Sequence, residues 1–297
     1  MLSSLQFPIA VVAYDAGAVN HIVAWVKNTG HDQVYVCVAG PALDLWKRSF
    51  PQVHFVELTE ALAKARTLIS GTGWASNLEH DARKMARQSG IKSIAVIDHW
   101  TNYRARFVRD GVEILPDEIW VTDEYARKLA ESEFGNLKVV QLPNLYLDNL
   151  VREIRQLERG GASRTGSNLL YVLEPIRQAW GADVVAGEFR GLDYFINNLG
   201  ILGLGRGAAI RLRLHPSEPV GKYDQWIKAQ KGLNVSLDDS PSLAESVAWS
   251  DVVVGCQTYA LVVALAAGKR VFSSIPPWAP PCILPQPGIV KLSDLLS

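Results

Sequence analysis

Residues 71–107 read GTGWASNLEHDARKMARQSGIKSIAVIDHWTNYRARF. A Gly-Thr-Gly turn opens a helix predicted over 76–90, and a strand predicted over 93–98 ends in Asp98-His99-Trp100. Its core, Ser93-Ile94-Ala95-Val96-Ile97, is a short apolar run without alternation, the pattern of a strand buried on both faces of a parallel sheet. Polar residues placed directly after such a strand stand at its carboxyl end, where open α/β sheets bind their ligands. Asp98, His99, Asn102, Arg104 and Arg106 gather there beside Trp100 and Tyr103. That density of hydrogen-bonding groups marks the acceptor side of an active site.

The alternation of strand and helix extends in both directions from this segment. Upstream, a strand from Phe7 to Tyr14 runs into the small-residue turn Asp15-Ala16-Gly17 and a helix to about Val26. Strand 33–39, helix 41–49, strand 53–57, helix 59–66 and the short strand 67–70 follow. Downstream come strand 117–122, helix 123–133, strand 137–142, helix 145–157 and a Gly/Ser/Arg-rich linker over 158–166. The pattern then restarts with strand 168–173, helix 182–199, strand 208–214, helix 221–230 and strand 233–237. Helix 242–249, strand 251–254, a helix to Ala267 and strand 270–274 complete it, before a proline-rich tail that admits neither helix nor inner strand. Such alternation predicts parallel sheets with right-handed crossovers. The expected architecture is α/β: two Rossmann-like domains, 1–157 and 158–297, facing each other across a cleft lined by strand ends.

Composition narrows the function classes. The chain has 297 residues, 48% hydrophobic and 20% charged, enough apolar material for two cores. Thirty basic residues balance thirty acidic ones, so no general nucleic-acid or anionic-membrane partner is indicated. Cys37, Cys256 and Cys282 are odd in number and unclustered, which argues against a disulfide scaffold or a zinc site, and no metal is expected. The first residues lack a basic leader region and read as a strand, and no apolar run reaches the ~18 residues a membrane span requires. The expected location is cytoplasmic.

Several residues are placed for chemistry. His215 follows a strand and precedes Pro216, which extends the backbone at the strand's carboxyl end. A histidine there can donate to a phosphate oxygen or simply be a satisfied loop residue. Arg177 follows another strand of the same half, and Gln257 and Thr258 open a helix after strand 251–254 with free N–H groups for an anion. Together they form a candidate phosphate cradle. In the other half, Asp15, Glu79, Asp98 and His99 are the candidate general bases. Glu79 could instead favour its helix N-terminus, Asp98 could anchor Arg104 or Arg106, and Gly17 could only permit a turn. Trp74, Trp100 and Tyr103 could stack on sugar faces or belong to the core.

The segments RLHPSEP (213–219) and SDVVVGCQTYALVVALAAGKRVFSS (250–274) resemble the donor-binding domain of glycosyltransferases with the GT-B fold. The His-Pro pair is similar to the motif of bacterial sialyltransferases and related CMP-sugar-dependent capsule enzymes. The 71–107 segment, LPNLYLDNL (142–150) and LLYVLEPIR (169–177) resemble polysaccharide-biosynthesis relatives of that group. The resemblance implies that His215 and Pro216 form the donor-phosphate motif and that Thr258 lies at the phosphate-binding helix; Ser217, next in the chain, is a further candidate donor contact. The resemblance also places Ser273 and Ser274 on a later donor-contacting loop. Gly73, in the turn that opens the 71–107 segment, is a further candidate substrate contact. The ribose-binding Glu of many UDP-sugar members has no counterpart in the helix at 257–267, which favours a CMP-type donor.

The function expected on these grounds is transfer of a sugar, acidic sugars included, from a nucleotide donor to a glycan or glycolipid acceptor. Asp98 would be the base and His215 would stabilise the leaving phosphate. The nucleotide sugar is a co-substrate and no cofactor is implied; a glycolipid acceptor would bring peripheral membrane contact. A nucleotide-sugar hydrolase or epimerase, and a non-catalytic nucleotide-sugar-binding protein, remain the alternatives.

Overall fold

The computed structural model describes residues 2–28, 33–160, 168–181, 185–204 and 207–296. The chain divides into two compact units, Met1–Tyr146 and Leu147–Ser297. The division falls in the first turn of a helix, α6 below, which runs on through Gly160. The remainder of the expected linker, 161–166, lies outside the described residues.

The first unit comprises β1 (Ile9–Ala13), α1 (Ala16–Lys27), β2 (Val34–Val38), α2 (Pro41–Ser49), α3 (Leu58–Lys64), β3 (Thr67–Ser70), α4 (Leu78–Gln88) and β4 (Lys92–Val96). The hairpin β5 (Val108–Arg109) and β6 (Val112–Glu113) precedes β7 (Glu118–Val121), α5 (Glu124–Phe134) and β8 (Lys138–Gln141); α6 (Leu145–Gly160) begins in this unit and continues from Leu147 in the second. Its six-stranded sheet has the order β2-β1-β3-β4-β7-β8 and every pairing in it is parallel. β1, IAVVA, is buried at each position because helices cover both faces, and therefore its sequence does not alternate. Residues 53–57, expected as a strand, contribute a single bridge between Phe55 and Val36. α3 begins at Leu58 and ends the pairing beside the edge strand.

The second unit comprises β9 (Asn168–Val172), α7 (Gly187–Asn197), β10 (Ala209–Arg213), α8 (Asp224–Ala229), β11 (Asn234–Leu237), α9 (Leu243–Trp249), β12 (Val252–Gly255), α10 (Tyr259–Ala266), β13 (Arg270–Ser273) and β14 (Ile289–Lys291). The order β11-β10-β9-β12-β13-β14, parallel throughout, is the doubly wound arrangement with its topological switch between β9 and β12. α7 starts at Gly187, and the part of the expected helix at 182–184 lies outside the described residues. The two sheets are separate, as the restart of the pattern implies, and both units are Rossmann-like. Among the described residues no helix is long and apolar enough to cross a membrane.

Candidate functional site

In the first unit the segments following β1, β3 and β4 converge at the carboxyl edge of the sheet. Glu79 of α4 ties two of them together. Its Oε1 accepts from the Tyr14 amide at 3.0 Å and its Oε2 from the Gly73 amide at 2.7 Å. The side chain is 1% exposed, and a Cβ at Gly71 would overlap its carboxylate. Burial pushes its pKa up, and the two amides and Arg83 hold it back. Sequence alone leaves Glu79 as a base, a substrate contact or a helix-end charge; its geometry is that of a loop clamp out of a substrate's reach. Glu79→Gln cannot accept from both amides, because one side-chain oxygen becomes an NH2 group. The expected loss is about 1–3 kcal/mol for the buried donor left unpaired, read as a lowered midpoint in urea unfolding.

Asp98, at the end of β4, forms an ion pair with Arg106 at 3.0 Å. Arg106 is 7% exposed in its side chain and also donates to Thr72 Oγ1 at 3.2 Å and to the Thr101 carbonyl at 3.0 Å. The anchoring role left open for Asp98 is therefore present, with Arg106 as the partner. Arg104 instead pairs with Glu113 at 2.8 Å and Glu133 at 3.4 Å on the surface. Gly17, at the start of α1, does more than permit a turn: a Cβ there would overlap the second Asp98 oxygen. Gly17→Ala must displace that carboxylate, and a calorimetric scan is expected to show a loss of about 1–3 kcal/mol from overpacking.

Asp15 faces the same edge. Its Oδ2 accepts from the Trp74 amide at 3.1 Å, and a Cβ at Gly73 would overlap it. Burial raises its pKa; the Trp74 amide lowers it, the nearby Asp98 charge raises it, and Arg106 and Arg109 lower it. Arg109, which the sequence reading passes over, sits 5.4 Å from the Trp74 ring and donates to the Gly73 carbonyl. Trp74 is 49% exposed and presents an aromatic face. Trp100 and Tyr103 do not: both are buried, Trp100 Nε1 bonds the Asp123 carboxylate at 3.1 Å, and Tyr103 bonds the Ala126 carbonyl at 3.3 Å. They secure the end of α5. His99 packs against Trp100, and burial lowers its pKa, which keeps the imidazole neutral near pH 7. Asn102 is exposed with φ of 58°, a left-handed conformation that Asn tolerates.

In the second unit the strand ends carry a histidine, an arginine and an occupied helix terminus. His215, after β10, takes a 3.2 Å bond from the Ser217 amide to Nδ1, and the Ser217 hydroxyl lies 2.8 Å from the same nitrogen. An Nδ1 that accepts an N–H leaves Nε2 as the protonated nitrogen of the neutral ring. Burial lowers the His215 pKa, Glu218 opposes this, and Arg177 adds to it. Arg177 has φ of 52°, strained for a non-glycine residue. That conformation is held by its amide, which donates to Glu188 Oε2 at 2.5 Å, and by its carbonyl, which accepts from Gly187 at 2.7 Å. Glu188 in turn pairs with Lys222, which also pairs with Glu218. A buried ionic network thus fixes the loop that presents Arg177. Pro216 and Ser217 are exposed beside His215.

Two expectations for this unit meet a different geometry. The Gln257 amide, reserved in the sequence reading for phosphate, donates at 2.6 Å to Glu174 Oε2, and the Thr258 amide bonds the same carboxylate. Glu174 lies two residues beyond β9, at the switch point, and is not among the expected site residues. Ser273 and Ser274 are buried in the sheet rather than displayed on a loop. The Ser273 hydroxyl donates to the Cys256 carbonyl at 2.7 Å, and Ser274 bonds the Tyr171 hydroxyl at 2.9 Å and the Gly255 carbonyl at 3.2 Å. Among the described residues no group of His, Cys, Asp or Glu has the clustering of a metal site.

No family model matches the chain, and no curated protein matches it. Solved structures do. A UDP-GlcNAc 2-epimerase from Neisseria meningitidis bound to UDP-GlcNAc aligns with a TM-score of 0.56 at 10% identity, over 89% of this chain and 81% of that one. The UDP-GlcNAc 2-epimerase from Methanocaldococcus jannaschii, in complex with UDP-GlcNAc and UDP, aligns with a TM-score of 0.56 at 8% identity, over 89% and 83%. The wall teichoic acid polymerase TagF aligns with a TM-score of 0.51 at 12% identity, over 92% and 72%. At such identities the likeness is one of fold, and the fold is GT-B-like.

Proposed function

We propose that the protein is a nucleotide-sugar-dependent glycosyltransferase. Its second unit holds the donor phosphate through His215 and Arg177, and its first unit receives the acceptor hydroxyl near Asp15. The observation that supports this most is the His215–Ser217 pair, which holds a neutral imidazole with Nε2–H as the donor. Such a group, beside a guanidinium, stabilises the charge that develops on a departing phosphate.

The acceptor oxygen bonds to the anomeric carbon, its proton passes to a carboxylate, and the bond from that carbon to the phosphate oxygen breaks, the electron pair leaving with the nucleotide. Asp15, whose pKa is raised by burial, suits proton acceptance better than Asp98, whose Oδ1 is engaged by Arg106. We therefore assign the base to Asp15, and to Asp98 the positioning of Arg106. By the resemblance to GT-B glycosyltransferases, many of whose UDP-sugar members carry a ribose-binding Glu in this helix, the carboxylate-free α10, YALVVALA, favours a CMP-type donor. The acceptor is a glycan or a glycolipid.

Nucleotide release measured with and without acceptor tests the reading. Release that depends on acceptor supports a transferase. Release without acceptor makes the protein a hydrolase, isomerisation of the intact donor makes it an epimerase, and tight binding without turnover makes it a binding protein.

A further inference from the structure

The arginines of α6 are gathered on one side of the helix. Arg152, Arg155 and Arg159 stand three and four residues apart, a spacing that stacks them on one face. Ile154, 0% exposed, turns another face into the core. The three guanidinium groups line a groove of about 490 Å³ that also touches Ala266, the last residue of α10. That volume is within the range of about 300–1,000 Å³ usual for small-molecule sites. Every residue lining the groove belongs to the second unit. α10 starts at the carboxyl end of β12 and ends just before β13, so Ala266 lies towards the sheet edge opposite His215 and Arg177.

The charge in this groove is unbalanced. Among the described residues Asp148 is the single carboxylate lining it, and it pairs with none of the three arginines. Glu153 is one residue from Arg152 and two from Arg155, spacings that do not face each other on a helix. Glu158 is taken by Lys269 at 2.6 Å. Arg152 donates to Asn149 Oδ1 at 3.2 Å. Arg155 and Arg159 are exposed and have no hydrogen-bond or ion-pair partner among the described residues. Like charges three and four residues apart destabilise a helix. The described residues leave that repulsion standing, and a bound anion would relieve it.

We propose that the groove between α6 and the end of α10 is a second anion site, which takes a diphosphate or closely spaced phosphate groups through Arg152, Arg155 and Arg159. Arginine's planar fork donates paired N–H groups to phosphate oxygens. Arg155 and Arg159 rise about 6 Å apart along the helix axis, so their side chains can close on one diphosphate from two sides, with Arg152 a turn further on. Free phosphorylated molecules and phospholipid headgroups share this chemistry, and the test separates them. The site does not depend on the nucleotide-sugar reading of the strand ends.

The test uses the full chain at low salt, where exposed charges are least screened. Pyrophosphate affinity is measured calorimetrically in wild type and in His215→Ala, the latter so that phosphate held at the strand ends is not counted. Arg155→Gln/Arg159→Gln is made in both backgrounds. Lys228→Gln/Lys231→Gln removes the same net charge from exposed lysines elsewhere on the unit and serves as the control. Co-sedimentation with vesicles of phosphatidylcholine, alone and mixed with phosphatidylglycerol, supplies the lipid arm. The arginine pair variant is expected to bind pyrophosphate at least about tenfold more weakly than its parent in the His215→Ala background, and the lysine control to bind like wild type. Anionic vesicles bound by wild type and not by the arginine variant, with no binding of pyrophosphate, uphold the site and assign it to headgroups. Unchanged affinity in the arginine variant overturns the proposal. An equal loss in the lysine control overturns it as well, because net charge alone would then explain the binding. Wild type that binds neither pyrophosphate nor anionic vesicles also overturns it. Neither arginine has a partner among the described residues to lose, and glutamine is a comparable helix former, so the variant's circular dichroism should match wild type. Arg159→Gln alone replaces the pair if the double variant fails to fold.

Discussion

Asp15→Asn is expected to lower sugar transfer by roughly 100- to 10,000-fold, the usual contribution of a positioned general base, with nucleotide affinity unchanged. Asn is isosteric and retains an oxygen for the Trp74 amide, so the segment after β3 keeps its tie. The substitution also removes the like charge that Asp15 shares with Asp98, so the melting temperature should not fall. A raised pKa at the base moves the acid limb of the rate profile up from that of an ordinary aspartate. The rate is lost as pH falls through that raised value, because the proton acceptor is then filled. Asp98→Asn should give the opposite signature. It leaves the buried Arg106 without its charged partner, so the folded state weakens and activity falls in step with the folded fraction. A transfer assay run beside a thermal melt on both variants separates the roles. Wild-type transfer by Asp15→Asn would remove it from the mechanism and return the base to Asp98.

His215→Ala is the second large effect. It deletes the Nε2 donor, and loss of one preorganised donor to a developing oxyanion typically costs about 100- to 1,000-fold in kcat. His215→Gln, which keeps an N–H donor, should recover part of that loss, a result that a merely structural role would not produce. Donor KM should also rise in His215→Ala, since the ground-state phosphate is held by the same group. Equal kinetics for the Ala and Gln variants would make His215 a loop residue satisfied by Ser217.

The doubly wound sheets were legible because parallel strands covered on both faces must be continuously apolar, as IAVVA in β1 and VVVG in β12 are. β14 escaped because it is only Ile289–Lys291 and follows a proline-rich tail, and the two-residue strands of the β5–β6 hairpin are too short to show a period. Strand-end logic located Asp98 but did not choose between Arg104 and Arg106, which lie two residues apart; burial of one and exposure of the other decided that. The same logic, a carboxylate directly after an apolar strand, applies equally to Glu174 after LLYVL. Ser273 and Ser274 show the converse: a serine at a strand end reads alike whether it faces the loop or the sheet. Their partners, the Cys256 and Gly255 carbonyls, come from the neighbouring strand and the residue after it.

The claim that the second unit is a nucleotide-binding unit is tested most directly by thermal shift of the full chain against CMP, UDP, GDP, CDP and dTDP. At about a hundredfold excess over Kd, a ligand that binds only the folded state adds about 2.7 kcal/mol, a rise of roughly 5 °C or more for a unit of this size. Such a rise is expected with at least one nucleotide, CMP first among them, and its loss in His215→Ala and Arg177→Ala. A flat response to all five nucleotides, or a rise that survives both substitutions, would contradict it.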